Sequence, residues 1–199
     1  KKIVITGGLG YIGTELCKIY SGVSRNNEIL VIDNRFISER VNQLRNWGIN
    51  FINGDVLDQD LIKKYLSNCD AVHHLAGITE VPRTTKESNE AINKKINQVA
   101  SEGTKNIISS ISDSCKIIFP STHVVYEGIQ SSKKEITEEE VTSPLLTYAT
   151  GKADNEKQIK NSGKKYIILR LGSVYGYSTD TTRLDIMPNL FSKIASQNG

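Results

Sequence analysis

A chain of 199 residues with 25 Lys plus Arg against 22 Asp plus Glu carries a formal charge of +3, and the lysines are too evenly spread to form the basic face that nucleic-acid binding needs. Hydrophobic residues at 38% and charged residues at 24% describe an ordinary globular chain, long enough for one sizeable α/β domain. No apolar run approaches the ~18 to 20 residues that span a bilayer, so neither nucleic acid nor membrane is expected as a partner.

In chain order, residues 2–5 (KIVI) form a short β-branched run that ends in glycines, too short for the core of a signal peptide. An amphipathic helix is predicted from Tyr11 to about Tyr20, a second strand over 28–32 (EILVI), a helix near 39–47 and a third strand over 50–52. Asp58 is the expected N-cap of a helix running through Leu66. A fourth strand over 70–75 (DAVHHL) precedes a long polar helix within 87–112, then a fifth strand over 116–119 (KIIF). A loop rich in Ser, Lys and Glu fills 127–143, a helix 146–161, a sixth strand 166–171 (YIILRL), and Pro188 opens a last helix through Ser196. Short apolar strands alternating with helices predict an α/β fold, a doubly wound parallel sheet of the Rossmann type.

Between the first strand and first helix stands Thr6-Gly7-Gly8-Leu9-Gly10-Tyr11-Ile12-Gly13, with glycines at 7, 10 and 13. The first permits a tight turn, the second lets backbone approach a pyrophosphate, and the third lets the helix pack closely. The N–H groups and positive dipole end of the helix then face the phosphates. Asp33 ends the second strand 20 residues after Gly13, the spacing at which a carboxylate bonds the ribose hydroxyls and repels a 2′-phosphate. NAD is therefore expected over NADP, although Arg35 is placed to bind such a phosphate.

Tyr148 and Lys152 form a YxxxK pair on a predicted helix, one turn apart on the same face. A nearby ammonium favours phenolate and lowers the phenol pKa, so Tyr148 is the expected general base or acid. Upstream, Pro120-Ser121-Thr122-His123-Val124-Val125-Tyr126 places hydroxyls at the end of the fifth strand, where one can orient a reacting oxygen. His123 is either an extra acid/base or a strand histidine facing the sheet packing, and the second is expected. His73 and His74 are adjacent on a strand, so they point to opposite faces and cannot easily share a metal. Lys133-Lys134 and the glutamates at 138–140 read as solvated surface.

Together these motifs resemble the extended short-chain dehydrogenases/reductases, the NAD-dependent epimerase/dehydratase family, over residues 2 to about 176. TGGLGYIG is similar to the family's TGGxGxIG turn, and Val31-Ile32-Asp33-Asn34 to the second-strand end of its 4-epimerases. Gly54-Asp55-Val56 resembles its adenine-contacting segment, and His74-Leu75-Ala76-Gly77 the run lining the cofactor after strand four. Residues 169–176, with Ser173 and Val174, resemble RxxNVYG near the nicotinamide. The resemblance implies a catalytic triad of Thr122, Tyr148 and Lys152. It also implies an NAD site built from Gly7, Gly10, Tyr11, Ile12, Gly13, Asp33, Asn34, Asp55, Val56, Leu75, Ala76, Gly77, Tyr148, Lys152, Ser173 and Val174.

The resemblance further implies an enzyme that modifies a nucleotide sugar, most readily by epimerisation through a transient keto sugar. A net dehydrogenase or reductase is the nearest variant, and a non-catalytic dinucleotide sensor is the reading from another class. The 4,6-dehydratases carry Asp-Glu after the threonine; His123 and Val124 stand there, so dehydration is not expected. The family's asparagine lies three or four residues before Gly-Thr, whereas Asn97 precedes Gly103 by six; either the helix is distorted or the asparagine's role is lost, and Asn97 is left out of the site. Gly172-Ser173 replaces the usual Phe-Asn. Residues 1–176 are expected to form the NAD-binding domain and 177–199 the start of a substrate-binding region, most of whose lobe would lie beyond Gly199. The start at Lys1 suggests a trimmed chain. The long fourth helix is a candidate for a homodimer bundle. Cys17, Cys69 and Cys115, odd in number, far apart and without a CxxC pair, argue against a disulfide framework or zinc site and for the cytoplasm.

Overall fold

The computed structural model describes residues 1–23, 26–79, 89–130, 135–178 and 183–198. Six strands, β1 (Lys2–Thr6), β2 (Glu28–Asp33), β3 (Asn50–Asn53), β4 (Ala71–His74), β5 (Lys116–Thr122) and β6 (Lys165–Leu171), form one parallel sheet in the order β3-β2-β1-β4-β5-β6. This is the doubly wound order, in which the chain runs outward from β1 in both directions and leaves a crevice between β1 and β4. The helices are α1 (Tyr11–Val23), α2 (Ser38–Asn46), α3 (Gln59–Leu66), α4 (Glu90–Gln98), α5 (Thr104–Ser110), α6 (Thr147–Asn161) and α7 (Met187–Asn198).

The β-branched runs are explained by burial on both faces. In β1, Ile3 and Ile5 join Ile29, Val31, Val41 and Leu44 in one core layer. Val4 points the other way, with Leu30, Ile32, Val72, Ile117 and Phe119. Each such side chain withdrawn from water contributes about 1.5–3 kcal/mol before the entropy cost of ordering it. Asp58 caps α3 as expected, its carboxylate accepting from the Leu61 N–H at 3.0 Å.

Two stretches depart from the sequence pattern. β5 continues through Pro120 to Thr122, three residues past its apolar run. Pro120 is tolerated because β4 pairs with β5 only as far as Ile118, so on that side there is no ladder bond to lose. The long fourth helix is not uniform: between α4 and α5 it widens into a π-helical turn over Val99–Gly103, the kind of local widening that frequents functional sites. Residues 87 and 88 of that predicted helix, and Lys133 and Lys134, lie outside the described residues; Glu138 and Glu139 are exposed. Among the described residues no helix is long and apolar enough to cross a membrane.

Candidate active site

The crevice begins at the turn after β1. Gly7 has φ +71°, and a Cβ there would stand 2.7 Å from the Ala76 nitrogen, so only glycine lets this turn lie against the segment after β4. The turn is closed by Gly7 N–H to the Ile32 carbonyl at 2.8 Å and Gly10 N–H to the Gly7 carbonyl at 3.1 Å. A Cβ on Gly13 would meet the Gly7 carbonyl oxygen at 2.6 Å, which fixes the third glycine as the place where α1 packs on its own entry loop. α1 starts at Tyr11 and has no acidic residue in its first turn, so the orphan N–H groups of Tyr11, Ile12 and Gly13 form an anion-receptive end. Gly10 is less crowded, with 3.2 Å to the Gly7 oxygen for an added Cβ.

At the end of β2, Asp33 is 5% exposed. Its Oδ2 accepts from the Leu9 N–H at 3.0 Å, and its Oδ1 from the Arg35 N–H at 3.0 Å. The Arg35 guanidinium adds bonds to Oδ1 and Oδ2 at 3.1 and 3.2 Å. Arg35 is thus folded onto the carboxylate, and a ribose diol would reach Asp33 by displacing it. Asn34 bonds the Asp55 carboxylate at 2.9 Å. Val56 is buried in the core, 2.8 Å from where a Gly103 Cβ would be, so its side chain is not presented to a ligand.

α6 supplies the other wall. Tyr148 and Lys152 line one crevice with Leu75, Ala76 and Gly77 from the segment after β4, and α4 and the π turn close it with Ile96 and Ala100. Lys152 donates to the Pro120 carbonyl at 2.7 Å and lies 4.5 Å from the Phe119 ring centroid and 5.9 Å from that of Tyr148. Desolvation pulls the Lys152 ammonium down to about 8. The expected lowering of the Tyr148 phenol by Lys152 is corrected here. Burial raises the Tyr148 pKa, and the cation that opposes the rise is Arg183, just ahead of α7.

The π turn resolves the displaced asparagine. Asn97 is exposed. Asn155 of α6, with its amide oriented to satisfy its neighbours, donates to the carbonyls of Ala100 at 2.8 Å and Gly151 at 3.2 Å and accepts from Thr104 at 3.3 Å. The helix is therefore distorted, and an asparagine from another helix adds a second hydrogen bond to the Ala100 carbonyl, which already accepts from the Thr104 N–H.

Thr122 is buried at the end of β5, its hydroxyl accepting from the Val124 N–H at 3.3 Å; it is not among the residues lining the Tyr148 crevice. His123 does not pack on the sheet. It is exposed in a 3-10 turn over His123–Tyr126, with Nδ1 3.2 Å from the Leu171 carbonyl, because the chain has already left the strand. Ser173 and Val174 lie on the exposed loop after β6, also away from that crevice. His73 and His74 do face opposite ways. His73 Nε2 is 2.8 Å from the Tyr20 hydroxyl, while His74 is buried between Thr6 and Thr104, held neutral by desolvation and by Lys152 with a pKa of about 3.

Two features were not read from the sequence. Glu156, one turn beyond Lys152 on α6, is buried and accepts from Ser121 at 2.6 Å and from Arg170 of β6 at 2.7 Å. Burial acts to raise its pKa, but the Arg170 and Ser121 bonds win and hold it low. The spacing Tyr148, Lys152, Glu156 was the available signal. The second is a tie across the crevice rim: the Tyr11 hydroxyl donates to the Gly176 carbonyl at 2.5 Å, and Gly176 N–H donates to Asn189 of α7 at 2.9 Å. Asn189 in turn donates to the Arg183 carbonyl at 2.8 Å.

Residues 3–198 match the model of the NAD dependent epimerase/dehydratase family. The UDP-glucose 4-epimerase of Lactobacillus helveticus is 27% identical over 213 residues, covering 100% of this chain and 61% of that protein. The dTDP-D-glucose 4,6-dehydratase of Dictyostelium discoideum is 26% identical over 197 residues, covering 88% of this chain and 44% of that protein. Among solved structures, a UDP-glucuronic acid 4-epimerase from Bacillus cereus, crystallised with UDP-glucuronic acid and NAD, superposes with a TM-score of 0.77 at 25% identity over 98% of this chain and 63% of that one. The chain spans about half the length of the relatives it matches.

Proposed function

The chain belongs to the NAD dependent epimerase/dehydratase family, and from that premise we propose that it binds NAD over the glycine turn and modifies a nucleotide sugar, by epimerisation. The observation that carries this reading is that Tyr148 and Lys152 share one crevice with Leu75–Gly77, beside the β1–α1 turn. The residues present fit the cofactor: Gly7, Gly10 and the start of α1 form a cradle that side chains would fill, and Asp33 offers a buried carboxylate at the β2 end. Tyr11, Ile12 and Gly13 would hold the pyrophosphate through backbone N–H groups. Asn34 and Asp55 would border the adenosine. When bound, NAD supplies a site that accepts a hydride from a sugar carbon and returns it.

The chain's own part is proton handling and positioning. Tyr148 Oη takes the proton of the sugar hydroxyl as that carbon is oxidised and returns it on reduction. Lys152, anchored by the Pro120 carbonyl, would hold the cofactor ribose, while the cation that favours the phenolate is Arg183. Thr122 would orient the reacting oxygen by giving up its local bond to Val124. Epimerisation is favoured over water elimination because the two residues after Thr122 are His123 and Val124, with no carboxylic acid there to protonate a leaving hydroxyl. Residues 1–176 form the NAD-binding part in this reading, and 177–199 begin the substrate-binding region, tied back through Tyr11. The α4 face, with Ile92 38% exposed, is where a homodimer contact is proposed, and the cytoplasm is the compartment that three free cysteines favour.

The test is incubation with NAD and a panel of UDP- and dTDP-sugars, followed by chromatography of the sugars and NADH absorbance. Epimerised sugar without net NADH is expected; steady NADH accumulation would make the protein a dehydrogenase instead. Tyr148→Phe should remove turnover while NAD still binds, and unchanged turnover would exclude the assigned base.

A further inference from the structure

Cys69 and Cys115 are 46 residues apart in sequence, yet their sulfurs are 3.2 Å apart. The topology brings them together. Cys69 ends the turn after α3 and Cys115 immediately precedes β5. β4 and β5 are parallel neighbours with Ala71 opposite Lys116, and the Lys116 N–H bonds the Asp70 carbonyl at 3.1 Å. The two cysteines therefore enter adjacent strands from the same end, opposite the crevice. Neighbouring strands lie ~4.7–4.9 Å apart, inside the Cα separation of roughly 4.4–6.8 Å that a disulfide spans. Both thiols are buried, 3% and 0% exposed, while Asn68, Asp70, Asp113 and Ser114 of the covering turns are exposed. Cys17 lies in the other core layer.

We propose that Cys69 and Cys115 are an oxidative modification site, closing to a reversible disulfide when the protein meets hydrogen peroxide. The proposal stands apart from the NAD and sugar reading and survives if that reading fails. The sulfur of Cys115 attacks the peroxide oxygen, the O–O bond breaks, and with proton transfer a sulfenic acid and one water form. The Cys69 sulfur then attacks the sulfenic sulfur, the S–O bond breaks, and a second water leaves. Two thiols are oxidised and one peroxide is reduced, with no further reactant. The order follows the local bonding. The hydrogen bond between the two thiols, with Lys164 adding, holds Cys115 below the usual thiol range despite burial and the nearby Asp70 carboxylate, whereas Cys69 is pushed up. Cys17, raised to about 12 by burial alone, has no such partner thiol. Brief opening of the two surface turns admits a reagent as small as peroxide.

The test is to treat the whole chain with hydrogen peroxide, quench with catalase, denature in N-ethylmaleimide, and map peptides by mass spectrometry without reduction. A Cys69–Cys115 peptide is expected, with Cys17 alkylated, thermal unfolding moved upward, and all three thiols restored by dithiothreitol. The Cys17→Ala variant should form the same cross-link. Retention of all three thiols, a cross-link that includes Cys17, or sulfinic acid at Cys115 without a cross-link would each overturn the proposal.

Discussion

Asp33 and Arg35 hold each other across the end of β2, with the guanidinium on both carboxylate oxygens at 3.1 and 3.2 Å. Half of the acceptor capacity of the carboxylate is thereby taken by a side chain that is 53% exposed while the carboxylate is 4% exposed; solvent around the guanidinium screens the pair and holds its worth to about 1 kcal/mol. Arg35 therefore acts as a displaceable cover on the proposed ribose contact. Arg35→Ala should tighten NAD binding, by up to about fivefold if the whole of that ~1 kcal/mol is released. Asp33→Asn should weaken it by about tenfold or more, the loss of a charge-assisted hydrogen bond worth about 1.5–3 kcal/mol, and narrow the preference over NADP. Titration calorimetry with both dinucleotides measures this, and weaker NAD binding in Arg35→Ala would show that the arginine recruits the cofactor.

Gly7 and Gly10 should separate folding from binding. Gly7→Ala meets backbone at 2.7 Å at positive φ, so it should cost more than the ~1–2 kcal/mol of the left-handed conformation alone. Gly10→Ala, at 3.2 Å from one oxygen, should leave the urea midpoint nearly unchanged while NAD affinity falls. Equal destabilisation of both variants would contradict this division.

Glu156 should prove a structural anchor for the crevice. Glu156→Ala leaves the Arg170 guanidinium, 11% exposed, without its carboxylate, a change that costs about 3–5 kcal/mol for a buried pair. Because the pKa of Glu156 is depressed in the fold, its contribution is complete above the unfolded value near 4.5 and disappears as pH falls through the lower folded value. Urea denaturation at pH 7 and at successively lower pH should show the gap between wild type and variant closing on the acid side.

Arg183 should shift the pH dependence of turnover. Burial raises the Tyr148 phenol and Arg183 opposes that rise, so the rate is expected to climb with pH toward the alkaline side as phenolate forms. Arg183→Gln removes the opposing charge and should move that limb to higher pH, and Arg183→Lys should restore most of it. The kcat–pH profile is the measurement; superimposable profiles would remove Arg183 from any electrostatic role.

The alternation of strands and helices was legible because the central strands β1 and β2 are buried on both faces and helices such as α3 and α6 on one, so period and composition agreed. Asp58 was legible as a cap because capping is local. What escaped the sequence was long-range. Pro120 reads as a strand end, and only the early termination of β4 explains why β5 continues past it. The spacing of Asn97 signalled a distortion, but not that Asn155 from α6 would complete it. Tyr148 and Lys152 were recognisable as neighbours at i and i+4. The sign of the phenol's shift was not, because it is set by burial and by Arg183, 35 positions away. Cys69 and Cys115 looked unrelated for the same reason.

β1 sits in the middle of the sheet although it precedes the other five strands in the chain. Paired with β2 alone it has one open edge until β4 emerges, 69 positions later, and the Tyr11 tie waits for Gly176, 165 positions on. At roughly 5–20 residues per second, a ribosome would need on the order of ten seconds or more to deliver that last partner. During that time the nascent glycine turn is incomplete, and a half-built sheet edge is exposed to chaperones and to neighbouring chains.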